Sequence, residues 1–122
     1  MIPAEWAPGP KRRAILSGKM EPEMDRLLEL LKQLSVFLQR YNRTSWVSWI
    51  EKDIHLLENY DSEGVEHFLS AFGGMGSLND VYFRPENGDA IESGDIEEEN
   101  ATFQSLLSEC WQLARDLHDE MG

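Results

Sequence analysis

One cysteine, Cys110, stands in a chain of 122 residues. It excludes an internal disulfide framework and fits a reducing compartment. Histidine is nearly as scarce, with three residues. None of them falls in a His-x-x-x-His or Glu-x-x-His pattern, so the helical metal sites of zinc and di-iron proteins have no spacing to build on. No cofactor or metal is expected. No apolar run approaches the roughly 20 residues that cross a bilayer, and the opening stretch has no apolar core of a secretory leader. A cytoplasmic protein without a membrane role is expected.

Positive charge is also in short supply. Eleven Lys and Arg face 23 Asp and Glu, a formal charge of −12. Four of the bases, Lys11, Arg12, Arg13 and Lys19, precede residue 20, which leaves seven bases against 22 acids from Met20 onward. Such a field repels phosphates and attracts basic surfaces. Direct binding to nucleic acid or to an anionic membrane is therefore disfavoured, and a basic protein is the natural partner.

What the chain does have is apolar and aromatic bulk: 41% hydrophobic residues, with four Trp, five Phe and three Tyr. That is enough to fill one modest core, and the length argues against a second. Residues 1–20 hold three of the five prolines and no sustained periodicity, and read as a flexible arm ahead of one helical domain over 21–122. From Pro22 to about Asn42, Met24, Leu27, Leu31, Leu34, Leu38 and Tyr41 recur at helical spacing. A second helix is expected from about Ser45 to Tyr60, burying Trp46, Ile50, Ile54 and Leu57. A short third, capped by Asp61 or Ser62, carries Val65, Phe68, Leu69 and Phe72. The glycines of Gly73-Gly74-Met75-Gly76-Ser77 predict a stop and a tight turn. Val81-Tyr82-Phe83 predicts a brief strand or extended segment. Pro85 to Asn100 reads as a long acidic loop, and a last helix is expected from Asn100 or Ala101 to Met121. Its apolar face holds Phe103, Leu106, Leu107, Cys110, Trp111, Ala114, Leu117 and Met121. The fold class is mainly α, a small four-helix bundle-like domain.

Few residues offer chemistry. Cys110 sits in the middle of an apolar stripe, where a thiol stays protonated and inert. The glycine turn lacks the lysine of a phosphate-binding loop and is followed by Asp80, and Ser77 is not in a Gly-x-Ser-x-Gly elbow. His55 and His67 fall opposite the apolar stripes of their helices and His118 at a border, which places all three on the surface. The protein is expected to act by binding, not as an enzyme.

Candidate binding residues follow from charge and exposure. The run Asp89, Glu92, Asp95, Glu97, Glu98 and Glu99 has no counter-charge nearby, and a long loop carrying it reads either as a solvated loop or as a docking site for a basic surface. Asp53 falls between Trp49, Ile50, Leu57 and Tyr60, on a face that should be buried. A lone carboxylate there must pair with an arginine such as Arg43, take loop amides, or stand in a groove for a partner's arginine. Trp49, Val36 and Phe37 lie off the main stripes of their helices and are expected either to pack against the loop or the N-terminal arm or to stand exposed; if exposed, Trp49 beside acids has the composition of an interface anchor. Met75 and Asp80, at the glycine turn, complete the set.

The stretch from Leu27 to Phe83, with WVSWIEKDIHLLE followed by FGGMGSLNDVYF, resembles a family of small bacterial proteins of uncharacterised function that share a GGMGSLND-type motif. Small acidic proteins of this kind are similar to the immunity proteins of polymorphic toxin systems, each of which neutralises one toxin domain. The resemblance implies a protein that binds a cognate toxin, basic and acting on nucleic acid or nucleotides. Two other readings stand beside it: an acidic nucleic-acid mimic that inhibits a DNA-binding protein, and a small enzyme of unknown type.

Overall fold

The computed structural model describes residues 21–73 and 76–121. The expected arm over 1–20 and the candidate residue Met75 lie outside them. The described residues form four α-helices: α1 (Glu21–Arg40), α2 (Thr44–Glu58), α3 (Glu63–Leu69) and α4 (Ile96–Met121). Three short 3-10 turns, Leu78–Asp80, Pro85–Asn87 and Ser93–Asp95, lie between α3 and α4. The mainly α bundle is thus as the periodicity predicts, and no described helix is long and apolar enough to cross a membrane.

Helix α1 is the hub, because its apolar residues span more than one stripe. Leu27, Leu31, Leu34 and Leu38 are fully buried, and Leu30 and Phe37 join them. One flank meets α2 and the other α4. Both neighbours run antiparallel to it: Lys32 reaches Glu58 while Ser35 reaches Glu51, and Arg26 reaches Glu109 while Arg40 reaches Glu99. Phe37, off the stripe by simple helical spacing, is buried because α4 covers a second face of α1. Its ring lies 5.6 Å from Phe103 and 5.4 Å from Phe83. Val36, one residue earlier, is left 57% exposed.

The helix ends repeat one device. Asn42 takes a left-handed φ of 58° and the Arg43 N–H bonds back to Leu38 O at 3.0 Å; Tyr60 takes 57° and the Asp61 N–H bonds back to Leu56 O at 2.8 Å. Each closes a helix by satisfying an orphan carbonyl. Asp61 then accepts the Glu63 N–H at 3.0 Å, opening α3 as an acid at a cap should. After α3, Gly73 at φ 90° and Gly76 at 79° make the expected glycine turn.

Val81–Phe83 takes the second of its two expected forms, an extended segment and not a strand, and a side chain takes the place of a neighbouring strand. Asn100 accepts the Phe83 N–H at 2.8 Å and donates to Phe83 O at 2.8 Å and to Ile96 O at 2.8 Å. The last helix begins at Ile96, not at Asn100 or Ala101. Glu97, Glu98 and Glu99 occupy its first turn, where carboxylates are favoured by the dipole.

Candidate functional site

The most unusual polar group lies between α2 and α3. Asp53 is wholly buried, and its Oδ1 is joined by a short hydrogen bond to Nδ1 of His67 on α3. The two helices approach closely because Gly64 has no side chain: a Cβ there would lie 2.8 Å from Leu57 Cγ and 3.1 Å from the Asp53 carbonyl oxygen. That approach brings His67, one turn further along α3, over Asp53. Trp49, one turn earlier on α2, stacks on the His67 ring with centroids 4.1 Å apart, and its Nε1–H donates to His67 O at 3.2 Å. Trp46 meets Trp49 edge-on at 5.6 Å.

Asp53 therefore pairs with neither Arg43 nor loop amides, and it does not stand in an open groove for a partner's arginine. His67, placed on the surface by its helical angle, is its partner, and only 23% of the histidine side chain is exposed. Burial pushes the Asp53 carboxyl up to about 8, against a smaller opposing pull from Lys52. Burial, then Lys52, pushes His67 down. The second carboxyl oxygen, Oδ2, is buried with no hydrogen-bond partner among the described residues. An anion with an unmet oxygen in that place is costly, whereas a carboxylic acid donating to Nδ1 leaves only a neutral carbonyl unmet. The pair thus shares one proton and carries no net charge near neutrality.

The acid run divides in the same way, into acids that hold the fold and acids that face water. Asp89 is buried and gripped by a two-pronged Arg43, with Nη1 to Oδ1 at 2.6 Å and Nη2 to Oδ2 at 3.0 Å. The Arg84 N–H adds a bond at 2.9 Å. Burial alone would raise the Asp89 carboxyl, but the hydrogen bonds from Arg43 and Arg84 outweigh it and hold it below its usual range. Arg43 also donates to the Tyr41 and Tyr82 carbonyls and lies over the Phe83 ring. Glu99, half-buried, accepts from the Tyr41 hydroxyl at 2.5 Å and from Arg40 at 3.1 Å. These two acids fasten the segment before α4 to the end of α1. Glu92, Asp95, Glu97 and Glu98 are exposed. Asp80 is exposed too, with one oxygen accepting the Gly76 N–H at 2.9 Å.

Trp111, expected on the buried face of the last helix, is 39% exposed. It sits one position past the stripe that buries Cys110 and Leu107. The Cys110 thiol itself is fully buried and pushed up to about 12, by burial first and by Glu109 second, as its place in the stripe predicts.

Residues 39–92 match a family described as a domain of unknown function (DUF6966). The match spans the end of α1, all of α2 and α3 and the turns after them, and so holds both the Asp53–His67 and the Arg43–Asp89 pairs. No curated protein matches the chain, and no solved structure does.

Proposed function

We propose that the protein is an immunity-type inhibitor, which captures a basic toxin domain acting on nucleic acid or nucleotides and blocks its working surface. The supporting observation is the distribution of its charge. Five of the seven bases after residue 20 are already tied to the chain's own acids: Arg26 to Glu29 and Glu109, Lys32 to Glu58, Arg40 to Glu99, Arg43 to Asp89 and Arg115 to Asp119. Exposed acids remain in large excess, with Glu92, Asp95, Glu97 and Glu98 lying together on the approach to α4 and its first turn. Like charges held side by side destabilise the fold, and a basic partner relieves that repulsion while being steered to the site.

The test pairs the protein with the product of the adjacent gene. Co-expression should restore growth to cells that express that product, and the purified proteins should form a complex whose association slows with salt. Growth arrest that persists despite full expression of both proteins, with no complex at low salt, would refute the assignment.

A further inference from the structure

Among the grooves on the described surface, two of similar size have contrasting linings. One runs between α1 and α4, with a volume of about 520 Å³, beneath Lys32, Arg40 and Glu99. The other, also about 520 Å³, lies between the end of α3 and α4 and has no ionisable side chain in its lining. Phe72, Leu107 and the exposed Trp111 supply its apolar surface, and Asn79, Gln104 and Gln112 its polar atoms. Acids stand at its edge: exposed Asp80 follows Asn79, and exposed Asp116 holds Gln112 Nε2 at 3.0 Å. Arg115, a base of the described residues, lies 6.0 Å from the Trp111 ring and is tied to Asp119 at 3.5 Å.

We infer that this second groove anchors the basic partner, accepting one aromatic or leucine-sized side chain carried between basic residues. The inference rests on the binding function proposed above and adds its location. An uncharged aromatic centre inside a charged rim is the composition of an interface core, where desolvating charge is costly and an aromatic anchor carries most of the energy. The acidic rim selects basic flanks on the incoming segment. At the other groove Glu99 is already held by Arg40, and Lys32 by Glu58, so its lining offers a basic segment no unpaired acid. The acids from Glu92 to Glu98 then govern the encounter, and the groove governs the lifetime.

Amide and indole NMR of the full chain tests this with three synthetic peptides: Lys-Arg-Ser-Trp-Ser-Arg-Lys, the same peptide with Ala for Trp, and the same with Glu at all four basic positions. The Trp peptide should shift Asn79, Gln104, Gln112 and the Trp111 indole, and bind at least about tenfold more tightly than either control. Trp111→Gln should weaken it about tenfold or more, and Gln104→Arg, which adds a base at an exposed helical position, should do the same with the melting temperature unchanged. Equal binding of the Ala peptide, shifts confined to the Glu92–Glu98 region, or a self-associating chain whose groove signals move with its own concentration would each overturn the assignment. If the neighbouring gene's product binds and Trp111→Gln leaves its dissociation rate unchanged, the groove is wrong and the function stands. If the peptide maps to the groove while that product does not bind, the groove stands and the toxin assignment falls.

Discussion

The Asp53–His67 pair should leave a mark on the pH dependence of stability, and its shape follows from counting protons. Asp53 has a folded value of about 8 against an ordinary 3.8, and His67 lies below its ordinary 6.5. Between pH 3.8 and 6.5 the unfolded chain keeps one proton, on histidine, and the folded pair also keeps one, on the carboxyl. The pair contributes no slope there. From about 6.5 to 8 the unfolded chain has lost that proton and the folded chain has not, so stability falls as pH rises. One proton over about 1.5 pH units amounts to about 2 kcal/mol. Asp53→Asn keeps the shape and a donor for Nδ1 but holds no titrating proton. The variant should be flat from 6.5 to 8 and lose stability below 6.5, where unfolded histidine takes a proton that the buried ring resists. Urea unfolding followed by circular dichroism, from pH 5 to 8.5 at fixed ionic strength, reads both slopes. The difference between the two proteins removes the contribution of the other acids. A wild type and variant with parallel profiles would refute the shared proton, and a Asp53 carboxyl carbon shift typical of an anion at pH 7 would refute its placement on the acid.

Four further outcomes are expected. Asp89→Ala should cost about 3 kcal/mol in urea unfolding, since it leaves the largely covered Arg43 guanidinium without its carboxylate; a loss under about 1 kcal/mol would mean that the pair is replaced by water. Asn100→Ala should cost about 2 kcal/mol by leaving both backbone groups of Phe83 unmet, and hydrogen exchange at the Phe83 amide should rise sharply. Changing Glu92, Asp95, Glu97 and Glu98 to Gln or Asn should preserve the melt and slow association with the toxin at low salt, with the effect fading as the screening length falls from about 10 Å at 0.1 M to about 3 Å at 1 M; equal rates at low salt would make them a solvated surface only. A chain starting at Met20 should keep its cooperative melt, because residues 1–19 have no periodic apolar face to bury; loss of helical signal would show that they are structural.

Helical periodicity foretold the elements because each of α1, α2 and α4 buries at least one recurrent stripe, a relation fixed within the helix itself. It placed Trp111 wrongly and left the cover of Phe37 open for a single reason. The width and direction of a buried face depend on how many neighbours a helix meets, and α1 meets two while α4 turns one flank to water. The same limit hid the polar pairs. Asp53 was legible as a carboxylate in need of a partner, since its angle set it among Trp49, Ile50 and Leu57. The identity of that partner depended on how closely α3 approaches, and Gly64, the residue that permits the approach, looks in the sequence like any glycine in a short helix. His67 appeared exposed because its angle was measured against the apolar stripe of α3 alone, whereas α2 covers the opposite edge.

Acid clustering misled in a related way. A run of carboxylates without nearby bases reads as one surface, because sequence distance is the only distance available, and Arg43 lies 46 residues from Asp89. Three-dimensional pairing removes Asp89 and Glu99 from the binding surface and assigns them to holding the segment before α4 against the end of α1. The acids that remain, Glu92, Asp95, Glu97 and Glu98, are those whose like-charge repulsion is not relieved by a base among the described residues. On the function proposed above, those four acids supply the long-range attraction and the uncharged groove at Trp111 the short-range contact.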